Sequence, residues 1–242
     1  MILPNQHDPM GAAIQDFFYK RRVKKLRILS SMFDEDEMPI SHLFRQESEM
    51  SHIEQEALRL CQGKVLDIGA GAGAHSRVLQ NRTDITVTAI DISPRSVQVM
   101  RCRGIKDVRI ADFFVDDVGR DYDTLLLMMN GIGIVGQVER LEEFFKRADE
   151  LLTPKGCIIL DSSDIRYIYD DQHLLNDTIS QTSRYYGQVD YTMHYGQIHG
   201  LPFDWLYLDP NLLEQEAAKY GYTTEIVSQG EHYDYLARLT RV

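Results

Sequence analysis

Three glycines at alternate positions, Gly69, Gly71 and Gly73, follow the apolar run 64–68, and a helical pattern begins at Ala74. The apolar run predicts a buried parallel strand. Glycine is needed where the backbone turns tightly and lies close to a ligand, because a Cβ atom would block both. The helix behind the loop directs free N–H groups towards whatever binds there. The spacing therefore predicts a strand, a ligand-binding loop and a helix.

An acid, Asp91, closes the next apolar run, 85–90. That position places a carboxylate at the tip of the neighbouring strand, where it can accept hydrogen bonds from the two hydroxyls of a ribose. The glycine loop and this acid together predict a binding site for a nucleoside cofactor.

The type of nucleoside follows from two further residues. The spacing is G-x-G-x-G, and Ala74 stands where a dinucleotide-binding loop has its third glycine. Asp67 precedes the first glycine by two residues, so its carboxylate would repel a pyrophosphate but not a sulfonium cofactor that carries an ammonium group. The loop therefore favours S-adenosylmethionine over NAD.

The chain resembles the class I S-adenosylmethionine-dependent methyltransferases in a series of motifs that stand in the family's order. The motifs are VLDIGAGAG at 65–73, AIDIS at 89–93, ADFF at 111–114, DYDTLLLMMNGIG at 121–133 and LLTPKGCIILDSS at 151–163. The resemblance covers residues 60–163 well and 209–242 more loosely.

The resemblance also implies which residues bind the cofactor. Ile92 would cover the adenine, Asp112 would accept from its amine, and the Phe113 N–H would serve its ring, while Met129 and Asn130 would lie nearest the methyl group. The full set comprises Asp67, Gly69, Ala70, Gly71, Gly73, Asp91, Ile92, Asp112, Phe113, Met129 and Asn130. No catalytic residue is assigned, because the sulfonium already activates the methyl group and the protein mainly aligns the reactants and excludes water. No metal site is predicted.

Alternating apolar strands and helical patterns predict an α/β fold with a doubly wound, mostly parallel seven-stranded sheet. Strands are predicted at 64–68, 85–91, 107–111, 122–129 and 156–161, and helices at 74–81, 94–102, 138–152 and 210–220. By resemblance, 222–228 and 233–239 form an antiparallel C-terminal strand pair. We predict an N-terminal helical extension or lid at 1–59, without a strand, and a methyltransferase domain at 60–242 with an insertion at 163–208.

The insertion is rich in aromatic residues, and its run 185–195 has the composition of a strand. These aromatics either form a wall against a flat or apolar methyl acceptor, or pack an added hairpin or the interface of a homodimer. Arg45, in the extension, either pairs with the methionine carboxylate of the cofactor or forms a surface ion pair. His75, on the first turn of the helix after the glycine loop, either approaches the methionine part of the cofactor or has a packing or surface role. For His173, His194, His199 and His232, a general base is one interpretation and a packing or surface role is the other.

The composition and charge of the chain limit the classes of methyl acceptor and the cellular location that we expect. The net charge of -11 disfavours a polyanionic substrate. The sequence NGIG at 130–133 lacks the N-P-P-Y-like motif of DNA amino-methyltransferases, so we expect a small-molecule acceptor and no nucleic acid. Three scattered cysteines and the absence of an apolar run of membrane-spanning length or a signal peptide indicate a cytoplasmic protein without a membrane anchor. Alternatives left open are a protein or RNA methyltransferase, a non-catalytic S-adenosylmethionine-binding module and an NAD-dependent oxidoreductase.

Overall fold

The computed structural model describes residues 1–21, 23–169 and 184–242. Its helices are α1 (Pro9–Lys20), α2 (His52–Leu60), α3 (Ala74–Leu79), α4 (Pro94–Cys102), α5 (Leu141–Leu151) and α6 (Pro210–Lys219). Its first strands are β1 (Leu26–Leu29), β2 (Asp36–Glu37), β3 (Gly63–Ile68), β4 (Ile85–Asp91), β5 (Asp107–Ile110) and β6 (Tyr122–Leu127). The later strands are β7 (Leu152–Ser163), β8 (Gln188–Tyr195), β9 (Ile198–His199), β10 (Phe203–Leu206), β11 (Tyr222–Gln229) and β12 (Asp234–Arg241).

Within these residues, the main sheet has seven strands in the order β11-β12-β7-β6-β3-β4-β5. The strands from β3 to β7 pair in parallel, whereas β12 pairs antiparallel with both β7 and β11. This arrangement confirms the predicted fold class. The strand order reverses beside β3, and ligands of such sheets bind at the carboxyl ends of the strands around this point.

The helix α5 shows why the sequence gives this packing. Its buried residues Leu141, Phe144, Phe145 and Ala148 follow the helical spacing of three and four residues and lie in the largest apolar cluster. Each such large apolar side chain contributes about 1.5–3 kcal/mol when it is fully buried. The outer face of α5 is charged, so the helix covers the sheet with one face and meets solvent with the other.

A second sheet joins the extension to the insertion, and the sequence did not predict it. Strand β8 pairs antiparallel with β1, with β9 and with β10, and β1 also pairs with β2. The expectation that residues 1–59 contain no strand is therefore wrong. The four-residue β1 is stabilised by pairing with a segment more than 150 residues away, and a local pattern carries no signal of such a partner.

The helix α1 is held against α4. Asp8 caps α1 by accepting from the Gly11 N–H at 2.8 Å and also accepts from the Ser93 hydroxyl at 2.6 Å. At the far end of the helix, the Tyr19 hydroxyl lies 3.3 Å from the Cys102 sulfur. These contacts fix the extension beside the loop that follows Asp91. Among the described helices, none combines the length and apolar character needed to cross a lipid bilayer.

Candidate active site

The glycine loop connects the end of β3 to the start of α3 and lies beside the end of β4. The Gly69 and Ala70 N–H groups both donate to the Ile90 carbonyl, at 3.0 Å, which fastens the loop to the neighbouring strand. Gly69 and Gly71 have φ values of +71° and +58°, in the left-handed region that favours glycine. A Cβ atom on Gly69 would meet nothing within 4 Å, and one on Gly71 would meet only Leu43 Cδ2 at 3.8 Å. This side of the loop is therefore open to a ligand.

Gly73 faces the protein instead. Its φ is +77°, and a Cβ atom there would lie 2.1 Å from Ile105 Cδ1 and 3.0 Å from Met100 Cγ. Ala70 is also buried, in the apolar cluster that contains Ala89 and Met100. The packing of α4 and the segment after it thus accounts for the small residues at 70 and 73. A contact between their backbone and a cofactor remains a prediction.

Asp91 lies at the carboxyl end of β4 and holds the two loops beside it. Its carboxylate accepts from the Gly71 N–H and from the Ser93 N–H, both at 2.8 Å. Burial raises the pKa of Asp91 to about 7, in spite of these hydrogen bonds and with help from the nearby Asp8 and Asp67 carboxylates. A half-buried carboxylate next to an open glycine loop fits the hydroxyls of a ribose.

The residues predicted to contact the adenine lie just after the ends of β4 and β5. The Ile92 side chain is 37% exposed, which leaves an apolar surface free to cover a flat ring. Asp112 accepts from the Phe114 N–H at 3.0 Å and forms an ion pair with the amino group of Met1. The Phe113 ring is buried against Phe144, so only the backbone of Phe113 can face a ligand. Within the described part of the chain, no hydrogen bond engages the Phe113 N–H.

Asp67, at the end of β3, is buried and accepts from the Ser76 hydroxyl at 2.5 Å. Ser76 lies in α3, so this bond connects the strand before the glycine loop to the helix after it. Burial raises the pKa of Asp67 above its usual value. Of the two roles predicted for Asp67, fixing the loop or facing the ammonium group, the observed contact is the one that fixes the loop.

Arg45 and His75 meet on one carboxylate, that of Glu54. Arg45 pairs with Glu54 through two of its nitrogens, and His75 Nε2 lies 2.8 Å from Glu54 Oε1. Burial alone would raise the pKa of Glu54, but the hydrogen bond and charge of His75, with hydrogen bonds from Arg45 and the Ser51 N–H, lower it to about 2. Their side chains are 13% exposed or less, so Arg45 forms a buried ion pair and not the predicted surface pair. Sequence analysis missed Glu54, whose only signal was a helix-capping pattern with Ser51.

The turn after β6 contains Met129 and Asn130, the residues predicted to lie nearest the methyl group. Both have positive φ values, 62° and 56°. The Asn130 N–H donates to Asp161 Oδ1 at 2.9 Å, and the Ser163 hydroxyl donates to Asn130 Oδ1 at 3.0 Å. Burial raises the pKa of Asp161 to about 7, against the Asn130 hydrogen bond and the nearby His75. Sequence analysis missed Asp161 as a site residue, although an acid at a strand end was a usable signal.

One face of the second sheet carries the aromatic residues of the insertion. Tyr191 pairs in register with Phe203, and Val189 with Trp205, so these side chains share a face. The Trp205 ring lies against Gly133, where a Cβ atom would be 2.1 Å from it. Further along the same face, Met193 packs in the cluster that contains Met129, Leu43 and Phe44. Tyr191, Met193, Phe203 and Trp205 are only partly buried, so apolar surface stays available beside the Met129 turn.

The other candidate histidines that the structure describes do not lie at the glycine loop or at the Met129 turn. His194 and His199 stack at 4.2 Å on β8 and β9, and His232 lies in the exposed turn before β12. His173 lies outside the described residues. Among the residues that the structure describes, no three histidine, cysteine, aspartate or glutamate side chains come together as metal ligands.

A solved structure shows the family of this chain. It is the S-adenosylmethionine-dependent methyltransferase of Bacteroides fragilis in complex with S-adenosyl-L-homocysteine, 46% identical, with a TM-score of 0.92 over 100% of this chain and 98% of that one. The chain belongs to the class I S-adenosylmethionine-dependent methyltransferases. A methyltransferase-domain family model also matches residues 65–156. The cofactor of this methyltransferase is S-adenosylmethionine, and the predicted preference over NAD is confirmed.

Two further relatives have a lower sequence identity to this chain and cover less of it. The demethylmenaquinone methyltransferase of Tropheryma whipplei (strain Twist) is 31% identical over 101 residues, 40% of this chain and 40% of that protein. The amino pentose methyltransferase CalS10 of Micromonospora echinaspora is 14% identical, with a TM-score of 0.55 over 87% of this methyltransferase and all of that chain. At that identity the second relative shows a shared fold alone.

Proposed function

We propose that this methyltransferase transfers the methyl group of S-adenosylmethionine to a small, flat and largely apolar acceptor. Bound S-adenosylmethionine supplies a methyl group that its sulfonium has already activated. The observation that carries the acceptor class is the partly buried face of Tyr191, Phe203 and Trp205, whose Trp205 ring rests on Gly133, four residues after Met129. Aromatic faces bind flat apolar rings through a large contact area at little cost in side-chain entropy.

The proposed roles of the cofactor residues follow from the geometry around the loop. Asp91 would accept from the ribose hydroxyls, Ile92 would cover the adenine, and Asp112 with the Phe113 N–H would hold its edge. The open side of Gly69 and Gly71 would admit the cofactor close to the backbone. Arg45 is already neutralised by Glu54, so a contact with the methionine carboxylate is not part of the proposal.

On the acceptor side, the protein's task is alignment and the exclusion of water. The second sheet brings apolar side chains over the strand end at which Met129 and Asn130 turn. An acceptor bound there would lose its contact with water and would contact aromatic and thioether side chains instead. The demethylmenaquinone methyltransferase relative makes a naphthoquinol one ring system worth including among the acceptors tested.

The test measures the S-adenosylhomocysteine that the purified protein forms from S-adenosylmethionine in the presence of an acceptor. Four classes of acceptor are compared: phenols and naphthoquinols, amino sugars, a basic peptide and a short RNA. We expect turnover with the ring acceptors. Turnover with the peptide or RNA alone would contradict the proposed acceptor class. Binding of S-adenosylhomocysteine without turnover in any class would contradict the proposed acceptor class and would favour a non-catalytic binding module.

A matched pair of variants then locates the acceptor. Phe203→Leu should raise KM for the ring acceptor and leave the Kd of S-adenosylhomocysteine unchanged, because Phe203 lies on the aromatic face and not in the glycine loop. Tyr220→Leu, at a half-buried aromatic residue that stacks on Phe145 and lies outside the cluster around Met129, should change neither constant. Equal KM values for the two variants would place the acceptor elsewhere.

A further inference from the structure

The turn at Met129 and Asn130 has a backbone that its sequence does not favour. Both residues have positive φ, 62° and 56°, and neither is glycine. Asparagine tolerates this region better than most residues, whereas methionine does not. Residues in such conformations persist only where the surroundings hold them, and they gather at functional sites.

The surroundings that hold the turn come from the neighbouring strand. β7 runs parallel to β6, with Leu127 in register with Leu160, so the next residues of β7 lie beside the turn. Asp161 Oδ1 accepts from the Asn130 N–H at 2.9 Å, and the Ser163 hydroxyl donates to Asn130 Oδ1 at 3.0 Å. The alternation of a strand places Asp161 and Ser163 on the same face, which is why both reach Asn130.

The turn also links the two halves of the proposed site. Met129 packs against the apolar cluster that contains Leu43 from the segment before α2, and both Phe44 and, from the second sheet, Met193 pack against the same cluster. After Asn130, the short helix Gly131–Val135 carries Gly133, on which Trp205 rests. A change in the backbone at 129–130 would therefore move both the cofactor side and the acceptor side.

We infer that Asp161 is a positioning residue, which uses its hydrogen bond to the Asn130 N–H to hold the Met129–Asn130 turn against the cofactor. The inference rests on the proposed placement of this turn next to the methyl group. Ser163 supports the same turn through the Asn130 side chain. Asp161 acts through a backbone N–H in this scheme, so the scheme requires a hydrogen-bond acceptor at 161 but no negative charge.

The test uses S-adenosylhomocysteine and needs no methyl acceptor. The protein is labelled with ¹³C at the methionine methyl groups, and the Met129 signal is assigned from a Met129→Leu spectrum. In Asp161→Ala we expect the Met129 signal of the free protein to move and the Kd of S-adenosylhomocysteine to rise about tenfold, equivalent to about 1.4 kcal/mol. Asp161→Asn keeps an oxygen acceptor of the same shape and should restore both the signal and the affinity.

The matched control is Asp123→Ala. Asp123 lies at the amino end of β6, the opposite end from the turn, and its carboxylate also accepts a backbone N–H, that of Lys64, at 2.9 Å. This variant should lose some thermal stability but keep the wild-type Met129 signal and affinity.

Two results would overturn the inference. One is an Asp161→Ala protein with the wild-type Met129 signal and affinity. The other is an Asp161→Asn protein as impaired as Asp161→Ala, which would show that charge and not the hydrogen bond matters. If Asp161→Ala does not fold, Asp161→Leu, which fills a similar space without a hydrogen-bond acceptor, takes its place in both comparisons. A failed acceptor panel would leave this result intact, so the two proposals fail separately.

Discussion

Replacing Asp91 by asparagine tests the proposed ribose site with little change in shape. In the structure the Asp91 carboxylate already accepts two backbone N–H groups, from Gly71 and Ser93, each at 2.8 Å. Each oxygen has a second acceptor direction left for a ribose hydroxyl. Asparagine retains one oxygen and turns an NH₂ group towards a donor, so one side of this arrangement is lost.

The expected magnitude follows from the kind of bond that is lost. A hydrogen bond to a charged group contributes about 1.5–3 kcal/mol. Loss of one such bond to the ribose, at about 2 kcal/mol, weakens binding about 30-fold. The assay is calorimetric titration with S-adenosylhomocysteine at a pH above the Asp91 pKa of about 7, so that the wild-type carboxylate is ionised.

Asp84→Asn is the matched control for this experiment. Asp84 directly precedes β4, at the opposite end of the strand from Asp91, and its side chain is 64% exposed in an ion pair with Arg82. Exposed pairs of this kind contribute little, so the variant should bind as the wild type does. If Asp91→Asn and Asp84→Asn bound S-adenosylhomocysteine equally well, with unchanged melting temperatures, Asp91 would not be the ribose acid.

Three further predictions follow from the same region. Because burial raises the Asp91 pKa to about 7, wild-type affinity for S-adenosylhomocysteine should rise as the pH is raised from 6 to 8, and Asp91→Asn, measured by the same titration, should show a weaker pH dependence. Gly69→Ala should weaken S-adenosylhomocysteine binding and lower the melting temperature modestly, because alanine is strained at a φ of +71° but its Cβ meets no neighbour. Gly73→Ala should lower the melting temperature further, because its Cβ would also meet Ile105 at 2.1 Å; an equal or smaller loss at Gly73 would contradict the open side assigned to Gly69. Glu54→Gln should cost about 3–5 kcal/mol in urea unfolding at neutral pH, because Arg45 loses its buried partner. Since the pKa of Glu54 falls from 4.5 to about 2, the stability it provides is present above pH 4.5 and is lost as the pH falls towards 2, so the two proteins should converge in acid.

The identity of the cofactor and the sheet around its proposed site could be predicted from the sequence. A loop that needs left-handed backbone at Gly69 and Gly71, followed by an acid at the next strand end, is a local pattern that few kinds of site other than a nucleoside site require. The strand periodicity that predicts the sheet also placed Asp91, Asp112 and Asn130 at carboxyl ends. The predicted elements and their parallel order are confirmed for that reason.

Contacts between distant segments could not be predicted in the same way. Glu54 was not predicted as a site residue, because its partners Arg45 and His75 come from the segment before α2 and from α3. Gly73 stood in the loop pattern with Gly69 and Gly71, and only the position of Ile105 shows that packing also requires it to be glycine. In each case the sequence provides the residue and the fold provides its partner.

The second sheet explains why the proposed acceptor side is harder to predict from sequence than the cofactor. A single strand from the extension, β1, pairs with β8 of the insertion, so neither segment forms the sheet by itself. The family model matches residues 65–156, which leaves both segments outside it. The loop that binds a cofactor restricts backbone angles at particular residues, whereas an apolar face such as Tyr191, Phe203 and Trp205 requires only suitable area on one side of a strand. Many sequences satisfy that second condition, so the acceptor proposed for this face must be identified by experiment.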